Sequence, residues 1–124
     1  NKQLLKEWKK GIIFPFHLQT IKSSNFQYLI QIAVKATEQN KSYGSALFNH
    51  IHQDIEQPII SFVMSRPIPN IPSLYTHLKN GYIAFGDYTG DYSTFKNYRS
   101  VGFIHYPNAS KPSKTLIMKR FLKI

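Results

Sequence analysis

The chain has 124 residues, 42% of them hydrophobic, with no cysteine and a formal charge of +10 from sixteen Lys+Arg against six Asp+Glu. That length suits one domain with a real core, and the missing cysteines exclude disulfides, thiolate nucleophiles and cysteine-held metals. No apolar run is long enough to span a bilayer and no signal-peptide pattern is present, so a cytoplasmic protein with no membrane partner is expected. The charge speaks about partners, and it suits nucleic acid, an anionic carrier or a phosphate-bearing ligand.

In chain order, residues 2–10 place Leu4, Leu5 and Trp8 on one helical face, which predicts a short amphipathic helix ended by Gly11. Ile12 to Ile21 is strand-like, with Pro15 confining its middle to an edge or bulge. Lys22-Ser23-Ser24-Asn25 is a turn cluster, and a strand from Phe26 to Val34 follows, so a hairpin of these two strands is expected. Leu47, Ile51 and Ile55 then recur every four residues beside Phe48, predicting a helix from Tyr43 or Gly44 to about Glu56. Pro58 marks its exit, and Ile59 to Met64 reads as a buried strand. Prolines 67, 69 and 72 keep the next segment irregular. Ser73 is expected to cap a short helix, Leu74 to Asn80, that stops at Gly81. Tyr82 to Asp87 reads as a strand, Thr89 to Tyr98 as a polar, aromatic loop, and Val101 to Tyr106 and Thr115 to Leu122 as two further strands. The class is α/β in a single domain, residues 1–124, with a mixed, largely antiparallel sheet flanked by helices.

The most informative stretch is the polar turn between the Phe26–Val34 strand and the following helix. A strand feeding a helix through such a turn aims unpaired backbone N–H groups and the positive end of a helix dipole at one point. That point is an anion site, above all for phosphate.

Gln39, Ser42 and Gly44 fall on the marked positions of the pattern Arg/Gln-x-x-Gly-x-Gly/Ala, with Ser42 replacing the first glycine. One helix and one strand later, Asn70, Ser73, His77, Gly81 and Tyr82 fall in register with Asn-x-x-Ser/Ala-x-x-x-Tyr/His-x-x-x-Gly-Phe/Tyr. Together these motifs resemble the GNAT (GCN5-related) N-acetyltransferase family over roughly residues 26–122, with Thr115–Leu122 similar to its closing strand. The resemblance implies a GNAT-like acyl-coenzyme A N-acyltransferase fold, abridged at the N-terminus, and transfer of an acetyl group from acetyl-coenzyme A to an amine. It implies that Ile32, Ala33 and Val34 pair with the pantetheine arm. The pyrophosphate would lie on the turn of Gln39, Asn40, Lys41, Ser42, Tyr43, Gly44, Ser45 and Ala46. Asn70 and Ser73 would meet the coenzyme from the other side.

Direct attack by a neutral amine needs an oxyanion stabiliser and a proton for the leaving thiolate. In the family a tyrosine on the short helix often gives that proton. Here His77 occupies the aligned position and Tyr75 lies two residues earlier, so either is a candidate, although the two cannot face the same way. Glu38, Asp87, His17 or a water chain could take the amine proton. The acceptor is open: a small molecule, or an amine carried on RNA or protein, and a homodimer is compatible with the sequence. His50 and His52 point apart on a helix and do not make a metal pair. Tyr92 to Arg99 interleaves aromatic and basic residues, a nucleic-acid-binding pattern, so a non-catalytic basic binding module is the competing class, beside a degenerate coenzyme binder. A Ser-His-Asp hydrolase lacks its nucleophile elbow.

Overall fold

Two parallel strands that are neighbours in a sheet need a long connection, and a helix is the usual one. The chain meets that need once among its described residues, which in this computed structural model are 12–13, 26–29, 43–92 and 95–124. Strand β2 (Gln27–Leu29) pairs in parallel with β3 (Ile59–Arg66), and helix α1 (Tyr43–Asp54) lies between them in sequence. Helix α2 (Ile71–Lys79) follows β3. An antiparallel pair comes next, β4 (Ile83–Tyr92) and β5 (Phe95–His105), and helix α3 (Lys114–Leu122) after it. A two-residue strand β1 (Ile12–Ile13) lies antiparallel to β4. The sheet order is β1-β4-β5-β3-β2, mixed, with one parallel pair among the described strands. This is an α/β arrangement.

The sheet has a core on each face. One holds Phe48 of α1, Leu74 and Leu78 of α2, and Ile59, Val63, Tyr82, Val101 and Phe103, with Ile117 and Phe121 of α3 against them. The other holds Ile60, Phe85 and Ile104. Burying each side chain of this size contributes about 1.5–3 kcal/mol, so the helices are held by their apolar stripes. Two glycines are fixed by this packing. Gly81 ends α2 at φ 90°, a conformation that L side chains rarely adopt. The bulge between Ala84 and Gly86 lays Phe85 over Gly102, where a Cβ would come within 2.5 Å of the ring.

Four expectations need correction. The first two strands do not form a hairpin. β1 and β2 stand at opposite edges of the sheet, because β2 takes β3 as its parallel partner. Thr89–Tyr92 and Phe95–Tyr98 belong to strands rather than to a loop, since the ladder continues through Thr89↔Arg99 and Gly90↔Tyr98 to Tyr92↔Phe95. Their Tyr, Thr and Phe content suits a pleated surface.

Thr115–Leu122 is not a strand but helix α3. Ser113 caps it by accepting from Leu116 N at 3.3 Å, and Ile117, Phe121 and Ile124 pack on the core at helical spacing. Helix α2 begins earlier than expected, with Asn70 rather than Ser73 as its cap and Pro72 in its first turn, where a missing N–H is harmless. The expected helix at 2–10, most of the strand-like segment after it, the 22–25 turn and the end of the Phe26–Val34 strand lie outside the described residues.

Candidate functional site

Helix α1 carries the described part of the predicted anion-binding turn. Its first N–H groups have no partner inside the helix. Tyr43 is 48% exposed and Ala46 is exposed, while Gly44 and Ser45 are half-buried against α2. Ser45 Oγ accepts from Asn80 Nδ2 at 3.1 Å, and the same amide donates to the Thr76 carbonyl at 2.8 Å. Asn80 is 2% exposed, yet its Oδ1 has no partner. Such a group lowers stability by about 1–3 kcal/mol.

Gly44 is the more telling residue. Its φ is not positive, and a Cβ there would sit 3.6 Å from Thr76 Cγ2, an ordinary contact. Among the described residues, neither backbone conformation nor packing requires glycine at this position. Alanine would favour the helix by up to about 1 kcal/mol.

On α2, Asn70 is exposed and its Oδ1 accepts from Ser73 N at 3.3 Å. Thr76 and Asn80 face α1, whereas Tyr75 faces α3, stacking on Phe121 at 4.3 Å with its hydroxyl 3.8 Å from Met118 Sδ. The structure therefore brings Tyr43, Gly44, Ser45 and Ala46 together on one turn and sets Gly44 and Ser45 against α2. Tyr75 lies on the far side of that helix. Ile32, Ala33, Val34, Gln39, Asn40, Lys41 and Ser42 lie outside the described residues, as do Glu38 and His17.

No protein-family model matches the chain, and no curated protein or solved structure matches it.

His77 is placed inside the protein. It is 5% exposed, with Phe48, Tyr82 and Phe103 packed around its ring at centroid distances of 4.9–5.0 Å. The Ser73 carbonyl can only accept, so Nδ1–H donates to it at 2.7 Å, and Nε2 then accepts from the Ser61 hydroxyl at 2.9 Å. Burial, aided by His52, pushes the His77 pKa down to about 4, against the raising effect of the Ser73 hydrogen bond. The ring is neutral at pH 7 and both nitrogens are engaged. Ser61 and His77 have the separation of a nucleophile and its base, but Ser61 is only 4% exposed. The pair ties β3 to α2.

Next to it, His52 Nε2 and the Tyr82 hydroxyl are hydrogen-bonded at 3.0 Å, and the His52 and His105 rings stack at 3.7 Å, 6° from parallel. Burial pushes His105 down to about 4 and also lowers His52, which has Lys111 nearby, while burial raises Tyr82. This whole cluster is uncharged at neutral pH. Parallel rings do not aim two lone pairs at one metal, and no group of three or more metal-binding side chains occurs among the described residues. Sequence reasoning missed Ser61 and His105. The available signal was the period of two along β5, which sets His105 on the face of Phe103, the partner of Ser61.

Proposed function

We propose that this chain is an N-acetyltransferase of the GNAT type, moving an acetyl group from acetyl-coenzyme A to an amine. The observation that carries the reading is Gly44, a glycine that nothing among the described residues requires, in the first turn of a helix that follows a parallel strand. A ligand that approaches the main chain closely is the remaining physical reason for it. The resemblance of Gln39–Ala46 and Asn70–Tyr82 to the family's two motifs names that ligand as the coenzyme.

In this reading the coenzyme supplies an activated acetyl group. The N–H groups of Tyr43 to Ala46, which have no acceptor within the helix, hold its diphosphate together with Gln39 to Ser42. Asn70 and Ser73 flank it from α2. The acceptor amine forms the new C–N bond as the C–S bond breaks, its nitrogen gives up a proton to water, and the leaving thiolate takes one from water. Neither His77, neutral and enclosed, nor Tyr75, engaged with α3, is assigned that proton. Both instead position α2. The charge of +10 favours an acceptor amine carried on an acidic partner such as RNA.

The test is thiol release from acetyl-coenzyme A in the presence of tRNA, peptides or spermidine. A chain with no cysteine gives no protein background with a thiol reagent. Saturable release that Gly44→Glu abolishes is expected. Equal release by Gly44→Glu would remove the anion-site assignment, and steeply salt-sensitive oligonucleotide binding with no transfer would favour the basic binding module instead.

A further inference from the structure

A cavity of about 260 Å³ opens between helix α3 and the β4–β5 pair, away from the first turn of α1. Ile83, Ala84, Val101 and Ile124 give it apolar walls. One side is braced by Arg99, whose guanidinium contacts Asp87 at 2.7 Å and donates to Ser65 Oγ and the Ile124 main-chain oxygen, both at 3.1 Å. That arginine is fully committed. Arg120, in the last turn of α3, and Lys123, its C-cap residue, also line the cavity. Neither has an ion-pair partner among the described residues. Asp87 pairs with Arg99, which leaves Arg120 and Lys123 as the remaining cations in the cavity lining.

We infer that this cavity binds a small carboxylate with an apolar body, held by Arg120 and Lys123 at its mouth and by the β4–β5 walls within. Size points the same way, because an apolar cavity of about 150 Å³ takes benzene, so this one holds a body of about ten non-hydrogen atoms. An apolar interior alone would accept neutral and charged molecules alike. The two cations at the mouth select the anion, and a guanidinium meets a carboxylate in two parallel hydrogen bonds. A cationic ligand is repelled. The site is independent of the proposed coenzyme turn, which lies on the other flank of α2.

Octanoate is the probe, with octanol and octylamine as its neutral and cationic counterparts, titrated into the 15N-labelled chain and followed by amide shifts. Saturable binding of octanoate is expected, with shifts centred on Ala84, Val101 and Arg120. Octanol should bind at least tenfold more weakly, and octylamine not at all. Arg120→Gln/Lys123→Gln, which makes both mouth residues neutral, should weaken octanoate at least tenfold, whereas Gly44→Glu should leave it unchanged. Octanol binding as tightly as octanoate, octanoate affinity untouched by the double substitution, or shifts located elsewhere would each overturn the inference.

Discussion

Acid should loosen this protein through His77. The ring is held at a pKa of about 4, below its ordinary 6.5, chiefly because burial leaves it 5% exposed, with His52 adding to the effect. In the unfolded chain it titrates near 6.5, so below that pH the unfolded state takes a proton that the native state refuses. The contribution is therefore fully present above about pH 6.5 and is lost progressively as pH falls toward 4. The fall from 6.5 to about 4 corresponds to about 3 kcal/mol in all, of which about 2 kcal/mol is gone by pH 5. His105, also lowered to about 4, acts in the same window with the same sign.

Urea unfolding followed by circular dichroism at pH 7.5 and 5.0 measures the difference. Replacing the buried pair together, Ser61→Ala with His77→Phe, should shrink that difference by about 2 kcal/mol. Titration of the His77 ring by NMR in the parent chain gives a second readout, and its signals should stay flat down to about pH 5. A parent whose stability is level from pH 7.5 to 5.0, or a His77 ring that titrates near 6.5, would refute the reasoning.

Gly44→Ala should raise stability by about 0.5–1 kcal/mol while weakening acetyl-coenzyme A, a divergence that paired thermal melts and calorimetric titrations would detect. A variant that binds the coenzyme as well as the parent does would leave the glycine unexplained. Gly102→Ala forces a methyl to within 2.5 Å of Phe85 and should lower stability by about 1–3 kcal/mol in urea melts. Ser113→Ala removes the cap of α3 and should lower stability by about 1 kcal/mol, with exchange protection lost first at Leu116. An unchanged melt would contradict a helix beginning there.

Local signals reached as far as local physics decided the structure. α1 and β3 were legible because the four-residue spacing of Leu47, Ile51 and Ile55 and the β-branched run from Ile59 both agree with what packing demands. α3 was misread because Thr115, Ile117 and a run of apolar residues favour a strand locally. The spacing of Ile117, Phe121 and Ile124, with Ser113 ahead, carried the helix instead. The first hairpin failed for a different reason. Adjacent strand-like segments suggest a pair, but the partner of β2 is chosen by the crossover through α1.

At the candidate site, Gly44 and Asn70 could be read from spacing. The enclosure of His77 could not, since it depends on Ser61 from β3 and on three rings brought in by α1, β5 and the residue before β4. Tyr75 likewise looks exposed on a helical wheel until α3 is placed beside it.

On the proposed function, main-chain amides at the start of α1 grip the coenzyme's diphosphate, and amide shifts on adding acetyl-coenzyme A to the 15N-labelled chain report on that grip. Saturable shifts, largest at Tyr43, Gly44, Ser45 and Ala46, are expected. Amides there that stay fixed at saturating coenzyme would contradict it.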